Sequence, residues 1–390
     1  MPGKQILALF VCSLVPWLAG NGMSPLLPVY ATRLGADSAV SGYFMAFSFL
    51  GLAIGAISAG WISDKLQRRK TPLIIAGLVS LPVTWLMGHA SNVLELSLLT
   101  GLSWLFGGMG LALIGILTGL SARESERGKI FGILSLTSGL GAVLGSLFTG
   151  YFVDHWGFTT MFSTLAVFLI LWPLTGLFLT EIEVKPAYKE DGQVGKRPGL
   201  GRSFYLFFTA SLLASTAGYT ILLGRSLIMD GLGFKAMEIS STGAISGLVV
   251  MPLPLLLGWL SDRTGRKIYI YFAYLAGILS LCILAVSSSL WHFWIVVIFQ
   301  GIFMAVGSTL GSALVTDIVK REALGRGLAL FSAMGWIGGV LGYTEAGFIL
   351  QRFGLTVALI IAICLILAAT VFLALVRTAK RIETLAMREQ

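Results

Sequence analysis

Apolar residues run along this chain in blocks of roughly 20, separated by short polar segments, and a block of that length suits a helix that crosses a bilayer. Twelve blocks can be read, at about 6–30, 41–63, 72–90, 95–120, 129–153, 158–180, 204–229, 240–261, 268–288, 291–316, 328–351 and 354–376. The pattern predicts an all-α membrane protein with twelve transmembrane helices. The first block is too long for a signal peptide, contains Pro16, Pro25 and Pro28, and lacks a small-x-small cleavage site, so it is read as a retained helix.

One polar string closes the second block and returns at the close of the eighth. Gly60-Trp61-Ile62-Ser63-Asp64-Lys65-Leu66-Gln67-Arg68-Arg69 is matched by Gly258-Trp259-Leu260-Ser261-Asp262-Arg263-Thr264-Gly265-Arg266-Lys267. The same spacing aligns Gly35 with Gly233. Further on, Arg127-Gly128 matches Arg326-Gly327, and Val143-Leu144-Gly145 matches Val340-Leu341-Gly342. A parallel duplication of a six-helix unit is expected, giving two pseudo-symmetric six-helix bundles. The boundaries that follow are 1–180 for the first bundle and 204–376 for the second. A mixed-charge linker occupies 181–203 and a basic tail 377–390; the linker holds too little apolar surface to fold alone.

Composition agrees with lipid as the solvent. Mean hydropathy is +0.89, and only 12% of the 390 residues are charged, more apolar surface than a soluble fold of this size hides. The net charge of +9 would ordinarily suggest an anionic partner such as nucleic acid. Its distribution argues otherwise. All Lys and Arg except Arg33, Arg225, Lys235 and Arg352 fall at the termini or in alternate loops, the positive-inside pattern, which places both termini in the cytoplasm. Cys12, Cys282 and Cys364 lie inside apolar blocks and read as small hydrophobes. Neither Asn21 nor Asn92 begins a glycosylation sequon. Short loops without sequons suit a prokaryotic plasma membrane.

The repeated string resembles the signature between the second and third helices of the major facilitator superfamily, Gly-x-x-x-Asp-Arg/Lys-x-Gly-Arg-Arg/Lys. Gly60, Asp64, Lys65, Arg68 and Arg69 match it, with Gln67 in place of the glycine; Gly258, Asp262, Arg263, Gly265, Arg266 and Lys267 match throughout. The resemblance implies that these residues form a conformational gate. A carboxylate at the end of its own helix is unfavourably placed unless a neighbour compensates. The family implies that Asp64 faces the start of the eleventh helix near Arg326 to Leu328, and that Asp262 faces the start of the fifth near Gly128. Two further stretches resemble the twelve-helix drug:proton antiporter branch: Pro25-Leu26-Leu27-Pro28 in the first helix, and Leu140-Gly141-Ala142-Val143-Leu144-Gly145-Ser146 in the fifth. Ala142 and Ser146 replace a proline and a glycine of that motif, and Trp104 stands four residues before Gly108 where the branch often carries an Arg.

The chemistry-bearing residues inside the apolar blocks are few, and each charge there is costly. Glu345 and Arg225 are the deepest, and their heights along the eleventh and seventh helices predict a Glu345–Arg225 pair. That pair serves either to neutralise both charges, or to leave Glu345 free to exchange a proton or meet a cationic substrate. Glu345 is the proton-coupling candidate. The family places its first, fourth, seventh and tenth helices around a central cavity, so Trp17, Asn21, Trp104, Tyr219, Arg225, Gln300 and Phe303 are candidate lining residues beside Glu345. They describe a mostly apolar, aromatic site suited to an amphipathic or hydrophobic solute. Gly141 and Gly145, Gly335 and Gly339, and Gly338 and Gly342 are spaced for close helix packing. Asp317, beside Lys320 and Arg321, reads as an interfacial charge.

His89, His155 and His292 are scattered, and neither a nucleotide loop nor a metal spacing is present, so an enzyme, a cofactor and a metal are not expected. The expected function is alternating-access secondary transport: proton-coupled export of an amphipathic small molecule. An importer or facilitator of a nutrient or lipid-like solute is the alternative, and a non-transporting membrane sensor the remote one. The expected partners are a small-molecule substrate, protons and the lipid bilayer, with no nucleic acid; a monomer is expected.

Overall fold

The computed structural model describes residues 3–66, 68–121, 126–181, 199–320 and 323–377; at Asp64, Arg127, Gly128, Pro254, Leu255, Gly258, Trp259 and Asp262 it describes the backbone alone. Among the described residues the regular structure is helical throughout, as it must be where lipid offers the backbone no hydrogen-bond partner. In the first half lie α1 (Gly3–Met23), α2 (Leu27–Arg33), α3 (Ser38–Leu66), α4 (Lys70–Met87), α5 (Val93–Ser121), α6 (Arg127–Leu169) and α7 (Leu171–Gly176). The second half holds α8 (Arg202–Gly231), α9 (Ala236–Val250), α10 (Leu253–Thr264), α11 (Arg266–Ala285), α12 (Leu290–Ile318) and α13 (Leu324–Leu375).

Nine of these described helices are long and apolar enough to cross a membrane, so the chain is a multi-pass membrane protein. The expected blocks map onto the helices with three kinds of departure. The fifth and sixth blocks share α6, which breaks direction at Gly157, and the eleventh and twelfth share α13, which breaks at Gly354. Both glycines hold φ near +80° with ψ 175°, a region open to glycine almost alone. The first block divides into α1 and α2 because Pro25 and Pro28 supply no amide hydrogen and crowd the preceding turn. The eighth divides into α9 and α10 at Met251-Pro252 for the same reason. The sixth block also continues past α6 into α7.

Two further positive-φ glycines, Gly35 (φ 90°) and Gly233 (φ 79°), turn the chain at the same end as Gly157 and Gly354. This end is called the turn end; the opposite one carries the basic loops. Large apolar side chains such as Ile57, Leu94 and Phe178 cover the outside of the bundle and are exposed, a surface suited to lipid rather than water.

Within the first half α1 packs most heavily on α6 and α3 on α5; within the second, α8 packs on α13 and α11 on α12. Glycines set how closely they approach. A Cβ at Gly141 would lie 2.7 Å from the Leu18 backbone nitrogen, and one at Gly342 2.9 Å from the Tyr219 Cβ. Gly338 faces Ser215 in the same way, whereas Gly335 faces open space. The halves meet along two seams, α6 on α9 and α3 on α13. A Cβ on Gly42 of α3 would stand 2.7 Å from the Gly347 Cα of α13, and one on Gly247 of α9 2.7 Å from the Gly139 carbonyl of α6.

At the turn end the halves cap each other's helices. The Asp154 carboxylate, from α6, accepts hydrogen bonds from the backbone N–H of Ala236 (2.8 Å) and Met237 (2.9 Å), the opening of α9. The Gln351 Oε1, from α13, accepts the Ser38 N–H (3.2 Å) that opens α3. Between these bonds the Thr32 hydroxyl donates to Asp230 (2.9 Å), and Arg33 pairs with the same carboxylate at 3.1 Å. Thr32 and Asp230 are themselves equivalent positions, 198 residues apart.

At the basic end, several contacts among the described residues close each half on itself. Glu181, which the sequence assigns to the linker, caps α4 by accepting from Arg69 N (2.7 Å) and Lys70 N (3.0 Å). Buried Arg69 also donates from Nε to the Ser63 hydroxyl, and Lys70 Nζ donates to the Leu177 carbonyl. The second half repeats the device: Lys267 Nζ donates to the Val376 carbonyl, and Arg266 pairs with Asp317 at 3.1 Å. Lys65 lies 4.7 Å from the centre of the Trp61 ring. Gly265, at φ 97°, joins α10 to α11. Arg68 and Arg263 are exposed. The expected contacts of the Asp64 and Asp262 side chains lie outside the described residues, as does most of the linker and all of the tail beyond Arg377.

A charged cap at a helix start outweighs a neutral one because the carboxylate also meets the positive end of the helix dipole. Asp154→Ala is therefore expected to cost about 1 kcal/mol and Gln351→Ala less, read as the fall in thermal midpoint of the purified protein. Equal losses would show that the charge contributes nothing.

Candidate functional site

Where the two halves diverge from their seams they line a cavity of about 380 Å³. Both halves contribute to it, through α1, α3 to α9, α12 and α13. Trp17, Asn21, Trp104, Tyr219, Arg225 and Gln300, all expected at a central site, line it. Phe303 lines a second cavity of about 320 Å³ among α8, α11, α12 and α13, and Tyr219 lines both. Tyr219, Met304 and Trp336 form the wall that the two cavities share.

Glu345 lines neither cavity. Its half-buried carboxylate accepts a hydrogen bond from the Thr220 hydroxyl at 3.2 Å, and its other oxygen has no partner. The expected Glu345–Arg225 pair is not formed: Arg225 makes no hydrogen bond or ion pair with any described residue, and its Nε is buried without a partner. Helix phase gives the reason. Residues two apart on a helix face different ways, and on α13 it is Tyr343 that faces the cavity. Matching heights on α8 and α13 were therefore not enough; the two charges occupy different faces.

The centre of the site is aromatic. Phe49 of α3 lies with its ring 5.0 Å from Trp104, 4.8 Å from Tyr219, 5.2 Å from Tyr343 and 6.3 Å from Trp336. Tilted and edge-on arrangements at these distances are favourable beyond area burial alone. A Cβ on Gly339 would lie 2.5 Å from the Phe49 ring, so the glycine of α13 makes room for it. One aromatic side chain of the first half is thus held among side chains of the second. Sequence reasoning did not single out Phe49, Trp172, Trp336 or Tyr343. Their spacing within continuous apolar blocks offers no signal, since every face of those helices is apolar.

The polar groups of the cavity are few. Asn21 donates to the Ser138 carbonyl at 3.1 Å, and Gln300 donates to the Gly218 carbonyl at 3.3 Å. Both tie a side chain of one helix to the backbone of another, which fixes their orientation. Arg225 is the one cation among the lining residues, and none of those residues is acidic.

The family model described as Major Facilitator Superfamily matches residues 9–288 and 205–390. A Multidrug resistance protein MdtG of Klebsiella pneumoniae (strain 342) is 30% identical over 66% of this chain and 65% of its own length. The protein of the same name from Proteus mirabilis (strain HI4320) is 26% identical over 87% of this chain and 88% of its own. Among solved structures, the nucleoside transporter NupG (D323A mutant) superposes with a TM-score of 0.80 over 96% of this chain and 100% of its own, at 18% identity. That likeness concerns the fold.

Phe49→Ala removes the ring that links the two halves and leaves a void beside Trp104 and Trp336. Stability is expected to fall by about 3 kcal/mol, and tryptophan emission to shift to longer wavelength as water enters. An unchanged melting curve and spectrum would mean that the aromatic cluster does not join the halves.

Proposed function

The chain belongs to the major facilitator superfamily, and from that premise we propose that it is a secondary active transporter exporting amphipathic or hydrophobic small molecules by alternating access, driven by protons. The observation that carries this reading is the cavity between the halves, lined from both and mostly apolar and aromatic. A concave chamber of this kind suits a drug-sized amphiphile. The names of the bacterial relatives, multidrug resistance proteins, favour the outward direction.

In this reading two bundles, 1–180 and 204–376, rock about the cavity while the linker 181–203 keeps them together. Twelve crossings place both termini and the basic loops in the cytoplasm, and the turn end outside a prokaryotic plasma membrane, as the Lys and Arg distribution requires. The chain acts as a monomer. The caps given by Asp154 and Gln351, with the Asp230 cluster, hold the outer end closed and must break for release. The loops carrying Gly60, Asp64, Lys65, Arg68 and Arg69, and Gly258, Asp262, Arg263, Gly265 and Arg266, hold the inner end in the other state.

Trp17, Asn21, Trp104, Tyr219, Arg225 and Gln300 contact the cargo, while Phe303 stands in the neighbouring cavity behind the wall that Tyr219, Met304 and Trp336 form. Glu345 carries the proton: it stands behind the cavity wall, two residues from Tyr343 and hydrogen-bonded to Thr220 of the seventh crossing. Losing or gaining charge there alters the packing of α13 on α8, the helix that bears Tyr219 and Arg225.

The test is transport by proteoliposomes under an imposed pH gradient. Protein-dependent movement of an amphiphile against its gradient, with accompanying proton flux, is expected; movement indifferent to the pH gradient would remove proton coupling. Glu345→Gln is expected to move substrate down its gradient but to lose the acceleration by the pH gradient. Acceleration equal to that of the unaltered protein would exclude Glu345 as the carrier.

A further inference from the structure

Arg225 is 2% exposed, inside a cavity without a single lining carboxylate. A buried cation with neither counter-ion nor hydrogen-bond acceptor is strongly unfavourable at membrane depth. The rest of the cavity has the same bias. The indole N–H groups of Trp104 and Trp172 are buried in its wall and donate to nothing. Against these unpaired donors, on α5, α7 and α8, stands one buried acceptor without a partner, the Gln300 Oε1. Glu345 cannot redress the balance, since it faces away from the cavity, and Asp230, nearer the turn end of α8, is engaged by Thr32 and Arg33.

An unpaired positive charge in a cavity with no acidic residue among its described lining calls for a ligand that brings a negative charge. The remaining lining, with Trp17, Phe49, Met304 and Trp336, is apolar and calls for a hydrocarbon or ring body. We infer that the cavity holds an amphipathic organic anion, its oxyanion head on the Arg225 guanidinium and its apolar body along the aromatic wall. Lipophilic cations are disfavoured, because they would meet Arg225 with no carboxylate to offset it.

The inference rests on the export reading but is tested apart from it, by equilibrium binding to the purified full-length chain. Quenching of tryptophan emission is titrated with three probes of one shape: 2-naphthoate, 2-naphthylmethylammonium and 2-naphthylmethanol. The carboxylate is expected to bind at least about tenfold more tightly than the ammonium, with the alcohol between them. Arg225→Gln is expected to remove that preference and Arg225→Lys to keep most of it. Should Arg225→Gln fail to fold, Arg225→Met is the second variant, expected to show the same loss of preference for the carboxylate over the alcohol.

An ammonium bound as tightly as the carboxylate, a preference that survives Arg225→Gln, or no binding of the carboxylate would each overturn the inference. An ammonium-selective protein that still drives efflux sinks the anion site and leaves export standing. A carboxylate held in the cavity but never moved in proteoliposomes does the reverse.

Discussion

A helix begins with amide groups that have no partner of their own, and two helices at the turn end begin against the opposite half of the molecule. Asp154 supplies the acceptor for α9 and Gln351 the acceptor for α3. Each half therefore completes a helix of the other, and the completion lasts only while the halves are together. Such groups cannot be left bare at the edge of a low-dielectric layer without cost. The same interface is drawn tight by glycine backbones, Gly42 on Gly347 and Gly139 beside Gly247. The closure of this end rests on those caps and on that backbone contact.

The two seams are related by the internal repeat, yet they are filled differently. Gly139 and Gly247 correspond by position to Trp336 and Phe49. Along α6 and α9 the backbones approach with little between them; along α3 and α13 two large rings occupy the equivalent place, 6.3 Å apart. The duplication supplied one scaffold, and divergence at these paired positions made its two seams unequal. The second cavity follows that asymmetry, since it lies beside the aromatic seam, against Trp336 and Tyr219.

Much of this architecture is legible in the chain. The block lengths, the repeated string and the pairing of Gly35 with Gly233 announce the helices, the duplication and its offset before any coordinates are known. The glycine pair at 157 and 354 is visible in the sequence only as residues between blocks; its positive-φ backbone lets two helices meet there directly, with no loop between them. Six of the eight candidate site residues meet in one cavity because they were chosen by which helix carries them. Glu345 was chosen by depth alone, and depth does not determine the face a residue occupies. Glu181 was assigned to a linker on composition, although its carboxylate closes α4. Phe49 left no trace in the pattern, because in a wholly apolar helix the ring that binds two halves together reads like any lipid-facing residue.

The partition between the two chambers consists of Tyr219, Met304 and Trp336 side chains. Side chains change rotamer far more readily than packed backbones shift, and methionine conforms to irregular shapes with little penalty. Withdrawal of that screen would turn two compartments into one elongated vault. A single layer of side chains, rather than a helix, thus sets the boundary between the two volumes.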